Sequence, residues 1–111
     1  MMDEPRYLQL ADGAFRAIED ALDDVDTSDV DVESAGGVLT LTLKDGVRCV
    51  INTQRPTRQI WLAARARAWH FAYDEASERW MDEKGTGAEL FATLAEILAK
   101  GSGVKVVFAR A

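Results

Sequence analysis

Residues 38 to 51 read VLTLTLKDGVRCVI, and this stretch constrains the fold more than any other. Extended backbone sends alternate side chains to opposite faces, so Leu39, Leu41 and Leu43 share one face and Thr40 and Thr42 the other. Asp45-Gly46 readily takes the left-handed angles of a tight hairpin turn, and VRCVI brings the chain back. An antiparallel pair with one apolar face therefore sits near the middle of the chain. That face needs a cover, and the other is free to meet water.

The same alternation extends in both directions. Asp29 to Ser34 alternates ahead of a Gly36-Gly37 turn. Gln59 to Leu62, WHFAY (69 to 73) and ERWMD (78 to 82) follow, and Pro56 ends the strand before them, because proline donates nothing to a ladder. The cover comes from two helices. From Pro5 to Val25, the residues Leu8, Ala11, Phe15, Ile18, Leu22 and Val25 recur at three- and four-residue steps and make one apolar stripe. Thr86-Gly87-Ala88-Glu89 has the form of a capping box opening a second helix, with Leu90, Phe91, Leu94, Ile97 and Leu98 inside and Gly101 and Gly103 at its end. VKVVF (104 to 108) reads as a last strand.

The predicted fold is α+β, a two-layer sandwich: two helices on one face of a largely antiparallel sheet of about six to seven strands. A chain of 111 residues has room for one such domain, spanning 1–111. In the run NTQRPTRQIWL (52 to 62), Ile60 and Leu62 claim the core face. Trp61, with Gln59, is left to point away from it.

Charge is divided along the chain. Residues 1 to 33 carry eleven acids against two arginines, a balance of −9, whereas residues 34 to 111 carry eight acids against eleven bases, a balance of +3. Between Asp45 and Asp74 stand Arg48, Arg55, Arg58, Arg65 and Arg67 and no acid. An acidic end and a net charge of −6 disfavour nucleic acid as a partner. No apolar run approaches the roughly 18 residues of a membrane span. The start, MMDEPRYLQL, lacks a basic, apolar leader, so no membrane association and a cytoplasmic location are expected. The single cysteine, Cys49, excludes an internal disulfide and suits a reducing compartment; its apolar neighbours predict burial.

The acids concentrate in IEDALDDVDTSDVDVE, residues 18 to 33. Glu19 and Asp23, and Asp20 and Asp24, are four residues apart on one helix, where like charges repel by a few tenths of a kcal/mol per pair. They also occupy the last turns of that helix, where the macrodipole opposes each by roughly 0.3–1 kcal/mol. Asp26, Asp29, Asp31 and Glu33 continue the series, making eight carboxylates along one edge. One reading is a solvated, solubilising face. The other is a docking surface for cations or a basic protein, and placement against local stability favours it. Carboxylates without histidine or thiolate suit hard ions such as Mg²⁺, Mn²⁺ or iron, bound openly and weakly, with no closed cage.

The acidic stretch, the GGVLTLTL hairpin, Asn52-x-Gln54-x-Pro56-x-x-Gln59-Ile60-Trp61-Leu62, then Trp69-His70-Phe71 and the closing helix together resemble the frataxin family, in its bacterial, CyaY-type form. The resemblance runs in order over nearly the whole chain. It implies a two-helix, antiparallel-sheet fold and a role in iron–sulfur cluster assembly. It also implies weak binding of ferrous or ferric iron, for which other divalent cations substitute, along Glu19, Asp20, Asp23, Asp24, Asp26, Asp29, Asp31 and Glu33. It further implies contacts with the cysteine desulfurase and the iron–sulfur scaffold protein through Asn52, Gln54, Gln59 and Trp61. The protein is expected to be a monomer, with metal-induced oligomers as the alternative. This chain departs from bacterial members in ARARAWHF, where many carry glycines, and in a short Asp26–Asp29 spacing.

His70, the only histidine, reads as an ordinary surface residue or as a further partner or metal contact beside Trp61. Arg58, among the arginines that flank Trp61, is a second added candidate. Enzyme signatures are lacking: no phosphate-cradling glycine loop, no nucleophile elbow, and one histidine to serve any catalytic set. The expectation is a non-enzymatic regulator or iron chaperone of cluster assembly, with no catalytic residues. The rival is a weak ferroxidase or iron-storage protein.

Overall fold

A computed structural model describes residues 2–109. In chain order the elements are α1 (Glu4–Leu22), β1 (Val30–Ala35), β2 (Val38–Leu43), β3 (Arg48–Gln54), a 3₁₀ turn (Arg55–Thr57), β4 (Gln59–Ala64), β5 (Arg67–Asp74), β6 (Arg79–Asp82) and α2 (Leu90–Ser102). The strands form one antiparallel sheet in sequence order, β1 to β6, with both helices on one face. This is the predicted sandwich.

Register explains the core. Leu39 pairs with Ile51, Ile51 with Leu62, Leu41 with Cys49, and Ile60 with Phe71, so whole rows of aliphatic and aromatic side chains face the helices. Ala11, Phe15, Ile18 and Leu22 of α1 and Leu90, Phe91, Leu94, Ile97 and Leu98 of α2 close over them. Each fully buried leucine or isoleucine contributes about 1.5–3 kcal/mol. The pattern overlooks Tyr7, which is fully buried and donates its hydroxyl to the Gln59 carbonyl, 2.6 Å away.

Three expectations fail at element ends. Helix α1 stops at Leu22, not Val25; Asp23 caps it, and the backbone continues through single turns, Asp23 to Asp20 and Val25 to Leu22. The negative charge at that end gives the backbone no reason to extend the helix. Asp29 lies in the turn before β1 and not in the strand, its N–H bonded to the Asp26 carbonyl at 2.9 Å. Helix α2 is capped by Glu89, which accepts from the N–H groups of Phe91 and Ala92. Thr86 does not cap the helix; its hydroxyl is held by Asp82 at 2.6 Å.

The predicted last strand is also absent among the described residues. Residues 104 to 108 are extended but pair with no strand. Val106 and Phe108 turn inward, Phe108 meeting Phe91 of α2 at 5.3 Å between ring centroids, while Val107 is exposed. Burial alternates as it would in a strand, but Phe108 packs on a helix and not beside a sheet edge.

Candidate functional site

Two surfaces gather the residues singled out above. The first is the acidic edge. Glu19, Asp20, Asp23, Asp24, Asp26 and Glu33 are exposed and Asp29 and Asp31 half-buried, running from the last turns of α1 through the connecting turn into β1. Of the eight, only Asp29 holds an ion pair among the described residues, with Lys44 at 3.8 Å. Asp26 braces its own turn. Its Oδ1 accepts from the Ser28 hydroxyl (2.7 Å) and N–H (2.8 Å), which holds its carboxyl below the usual range. Among the described residues no three histidine, cysteine, aspartate or glutamate side chains converge on one point. Carboxylates strung along an edge in this way offer an ion one or two oxygens at a time and leave its remaining positions to water.

The second surface is the sheet face away from the helices. Asn52 of β3 pairs with Trp61 of β4, and Trp61 with His70 of β5. The Glu83 N–H bonds the His70 carbonyl at 2.9 Å, extending this row by one residue. Trp61 and His70 stack, with ring centroids 4.0 Å apart and planes 10° from parallel. The indole N–H donates to Gln59 Oε1 (2.9 Å), Gln59 Nε2 donates to Glu83 Oε1 (2.9 Å), and His70 Nδ1 lies 2.7 Å from Glu83 Oε2. The four side chains close a ring: Trp61, Gln59, Glu83, His70 and back to Trp61 by stacking. The Gln59 amide first, and His70 second, hold the Glu83 carboxyl below its ordinary value. The indole thus presents its face at a fixed angle on an open sheet.

The structure adds Glu83, which the linear pattern does not reveal because it lies past the last strand and joins the site only across the sheet. Gln59 is buried beneath its neighbours, so it orients Trp61 more than it meets solvent. Asn52 and Gln54 are half-buried on the same face. Arg58 is elsewhere: in the left-handed conformation after the 3₁₀ turn, it reaches back to Glu4 at the start of α1 (3.6 Å) and to the Arg55 carbonyl. Arg55 and Arg65 are likewise tied to acids, Glu4 and Asp45. Cys49 is fully buried, and burial pushes its thiol up to about 12.

A six-stranded antiparallel sheet under two helices, with carboxylates massed at one edge and a braced tryptophan on the bare face, defines a two-layer α+β domain with two distinct polar surfaces. No helix among the described residues is long and apolar enough to cross a membrane. The chain belongs to the frataxin-like family, whose domain model matches residues 1–104. It is similar to the iron-sulfur cluster assembly protein CyaY of Pseudomonas aeruginosa, 40% identical over 107 residues covering 96% of this chain and 97% of that protein. It is 37% identical over 110 residues to the protein of the same name from Delftia acidovorans, covering 96% and 97%. Among solved structures it resembles frataxin from Psychromonas ingrahamii, with a TM-score of 0.87 and 30% identity over 98% of this chain and 100% of that one. It also resembles trimeric yeast frataxin complexed with ferrous, with a TM-score of 0.71 and 30% identity over 86% and 87%.

Proposed function

We propose that this protein serves iron–sulfur cluster assembly as a cytoplasmic, iron-binding regulator that modulates the complex of the cysteine desulfurase with the cluster scaffold protein. The acidic edge takes up iron weakly and meets a basic surface of the desulfurase; the Trp61 face meets the scaffold. The observation that carries this reading is the acidic edge, eight carboxylates gathered with one ion pair among the described residues, four of them at the end of α1 where the helix dipole opposes them. Membership of the frataxin-like family and the names of its relatives support the same direction. Iron is cargo here, and the protein acts by binding, not as an enzyme.

The rival ferroxidase or storage reading asks for carboxylates that hold ions close together, whereas these are strung along an edge. Paramagnetic Mn²⁺ or anaerobic ferrous iron, titrated while backbone amide signals are followed, should broaden residues 19 to 33 and spare 52 to 62, with micromolar or weaker affinity. Broadening centred on His70 would move the metal site to the other surface. Rapid oxygen consumption with ferrous iron, abolished by ridge substitutions, would favour the ferroxidase.

For the scaffold contact, Trp61→Ala should weaken the ternary complex by roughly 2 kcal/mol or more, as removal of a central aromatic anchor does. Calorimetry on the assembled complex measures it. The same substitution should lower stability by about 1–3 kcal/mol, the sum of one ring stack and one hydrogen bond. Collapse of the fold would instead make Trp61 a core residue.

A further inference from the structure

Strand β5 is covered along only half its length. Its pairing with β6 begins at Phe71, opposite Asp82, and one further bond joins the Glu83 N–H to the His70 carbonyl. The chain then turns away through Gly85 and Gly87, closing on itself where the Asp82 N–H meets the Ala88 carbonyl at 2.9 Å. Because His70 directs its carbonyl away from β4, Ala68, two residues earlier, directs its own N–H and carbonyl to the same side. No strand lies there among the described residues. Arg67 to Trp69 therefore form a short open edge, with Ala68 supplying its outward main-chain groups, on the far side of the sheet from β1.

Two clefts meet at this edge. One, of about 920 Å³, is bordered by Arg67, Ala68, Trp69, His70 and Lys84. The other, of about 760 Å³, runs between the β4–β5 hairpin and α2, past Arg65, Arg67, Trp69, Ile97 and Lys100. Trp69 belongs to both, half-buried, with the Arg67 guanidinium 4.6 Å from its ring centroid. It faces the helix side of the sheet, opposite to Trp61. Arg67, Lys84 and Lys100 hold no ion pair among the described residues. Asp82 and Glu96 are the acids in the two clefts, and Asp82 is engaged by Thr86.

We propose that this edge is a second docking surface, which takes an extended acidic segment of a partner protein as an added strand beside Arg67–Trp69. Main-chain bonds at Ala68 supply the pairing, and alternate acidic side chains reach Arg67 and Lys100 on the helix side. Small apolar side chains fall on the Ala68 side. Charge complementarity selects the occupant: these three cations around an open strand suit carboxylates. A second copy bringing its own acidic β1 carries −6 with it and is repelled as a body, whereas an unfolded segment meets only the local field. The surface opens to the edge and the helix side of β5, opposite to the Trp61 face, with His70 bordering both. It lies four strand spacings, about 19 Å, from the acidic edge, so those two surfaces can be engaged together.

The test uses the full chain and a blocked nine-residue peptide alternating valine and glutamate. Titration should protect the Ala68 amide from exchange and shift the Trp69 indole signal while leaving residues 19 to 33 unmoved. Arg67→Glu, at an exposed position, should weaken binding at least tenfold. Ala68→Pro should do the same by removing the edge N–H, and should fold, since that N–H takes no part in the β4 ladder; should it fail to fold, Arg67→Glu alone decides. Equal binding of a valine–lysine peptide, unchanged binding by Arg67→Glu, or signal changes elsewhere would overturn the proposal. So would concentration-dependent protection of Ala68 without peptide, accompanied by a doubled mass, because the occupant would then be a second copy.

Discussion

At the scale of single residues, the braced tryptophan is the arrangement that most invites a direct probe, and Glu83 is its keystone. Glu83 accepts from Gln59, which orients the indole, and contacts His70, which stacks on it. Its lowered carboxyl fixes the sign of a pH effect. A carboxylate favoured in the folded state contributes stability above the ordinary glutamate range, near about 4.3, and loses it as pH falls through the folded value. Glu83→Gln should therefore lower the melting temperature at pH 7, with the gap to the parent closing as pH drops below about 4. A gap that stays constant across pH would mean that the ring contributes nothing through charge. Reading residues 59 to 62 as alternating is enough to turn Trp61 outward. Its partners are not legible that way, because His70 is nine and Glu83 twenty-two positions distant and only strand pairing makes them neighbours.

At the scale of elements, the β4–β5 hairpin is the place where sequence and backbone disagree. Ala64 pairs with Arg67, leaving a two-residue turn of Arg65 and Ala66, both left-handed (φ 52° and 63°). Side chains with a Cβ resist that conformation by roughly 1–2 kcal/mol each. The β1–β2 turn uses Gly36 and Gly37 for the same geometry. Ala66→Gly should thus raise stability by about 0.5–1 kcal/mol after allowing for the freer unfolded chain, as read by denaturant midpoint at unchanged slope. A lower midpoint would show that the turn is not strained. The strands of this hairpin and the two helices are readable from periodicity. Their ends are not: Glu89 displaces Thr86 as the α2 cap, since Thr86 is already bound by Asp82.

At the scale of the whole molecule, the acids are gathered and the arginines are not. The carboxylates that close α1 and run into β1 lie at the β1 edge of the sheet, whereas Arg48, Arg55 and Arg58 lie around β3 and Arg65 and Arg67 in the β4–β5 hairpin. Replacing Asp23 and Asp24 together by asparagine should relieve repulsion at the end of α1 and raise the melting temperature, and added salt should raise that of the parent more than that of the variant. The same pair should weaken desulfurase binding and flatten its salt dependence, since long-range attraction is screened within about 10 Å at 0.1 M. A variant that is no more stable, with the fold intact, would remove the claim that function opposes stability here.

Layering, the buried rows and the massing of acids are written in the linear chain, because periods of two and of three to four residues, hairpin dipeptides and charge are local properties. The tertiary structure alone decided which residues meet. It set Tyr7 on the Gln59 carbonyl, Glu83 in the ring around Trp61, and Arg58 on Glu4. It also laid residues 104 to 108 on helix instead of sheet, an outcome that alternation cannot distinguish. Alternating burial requires only that one side of an extended chain face apolar surface, whereas pairing requires a free edge within hydrogen-bonding reach, and that is a property of the assembled sheet.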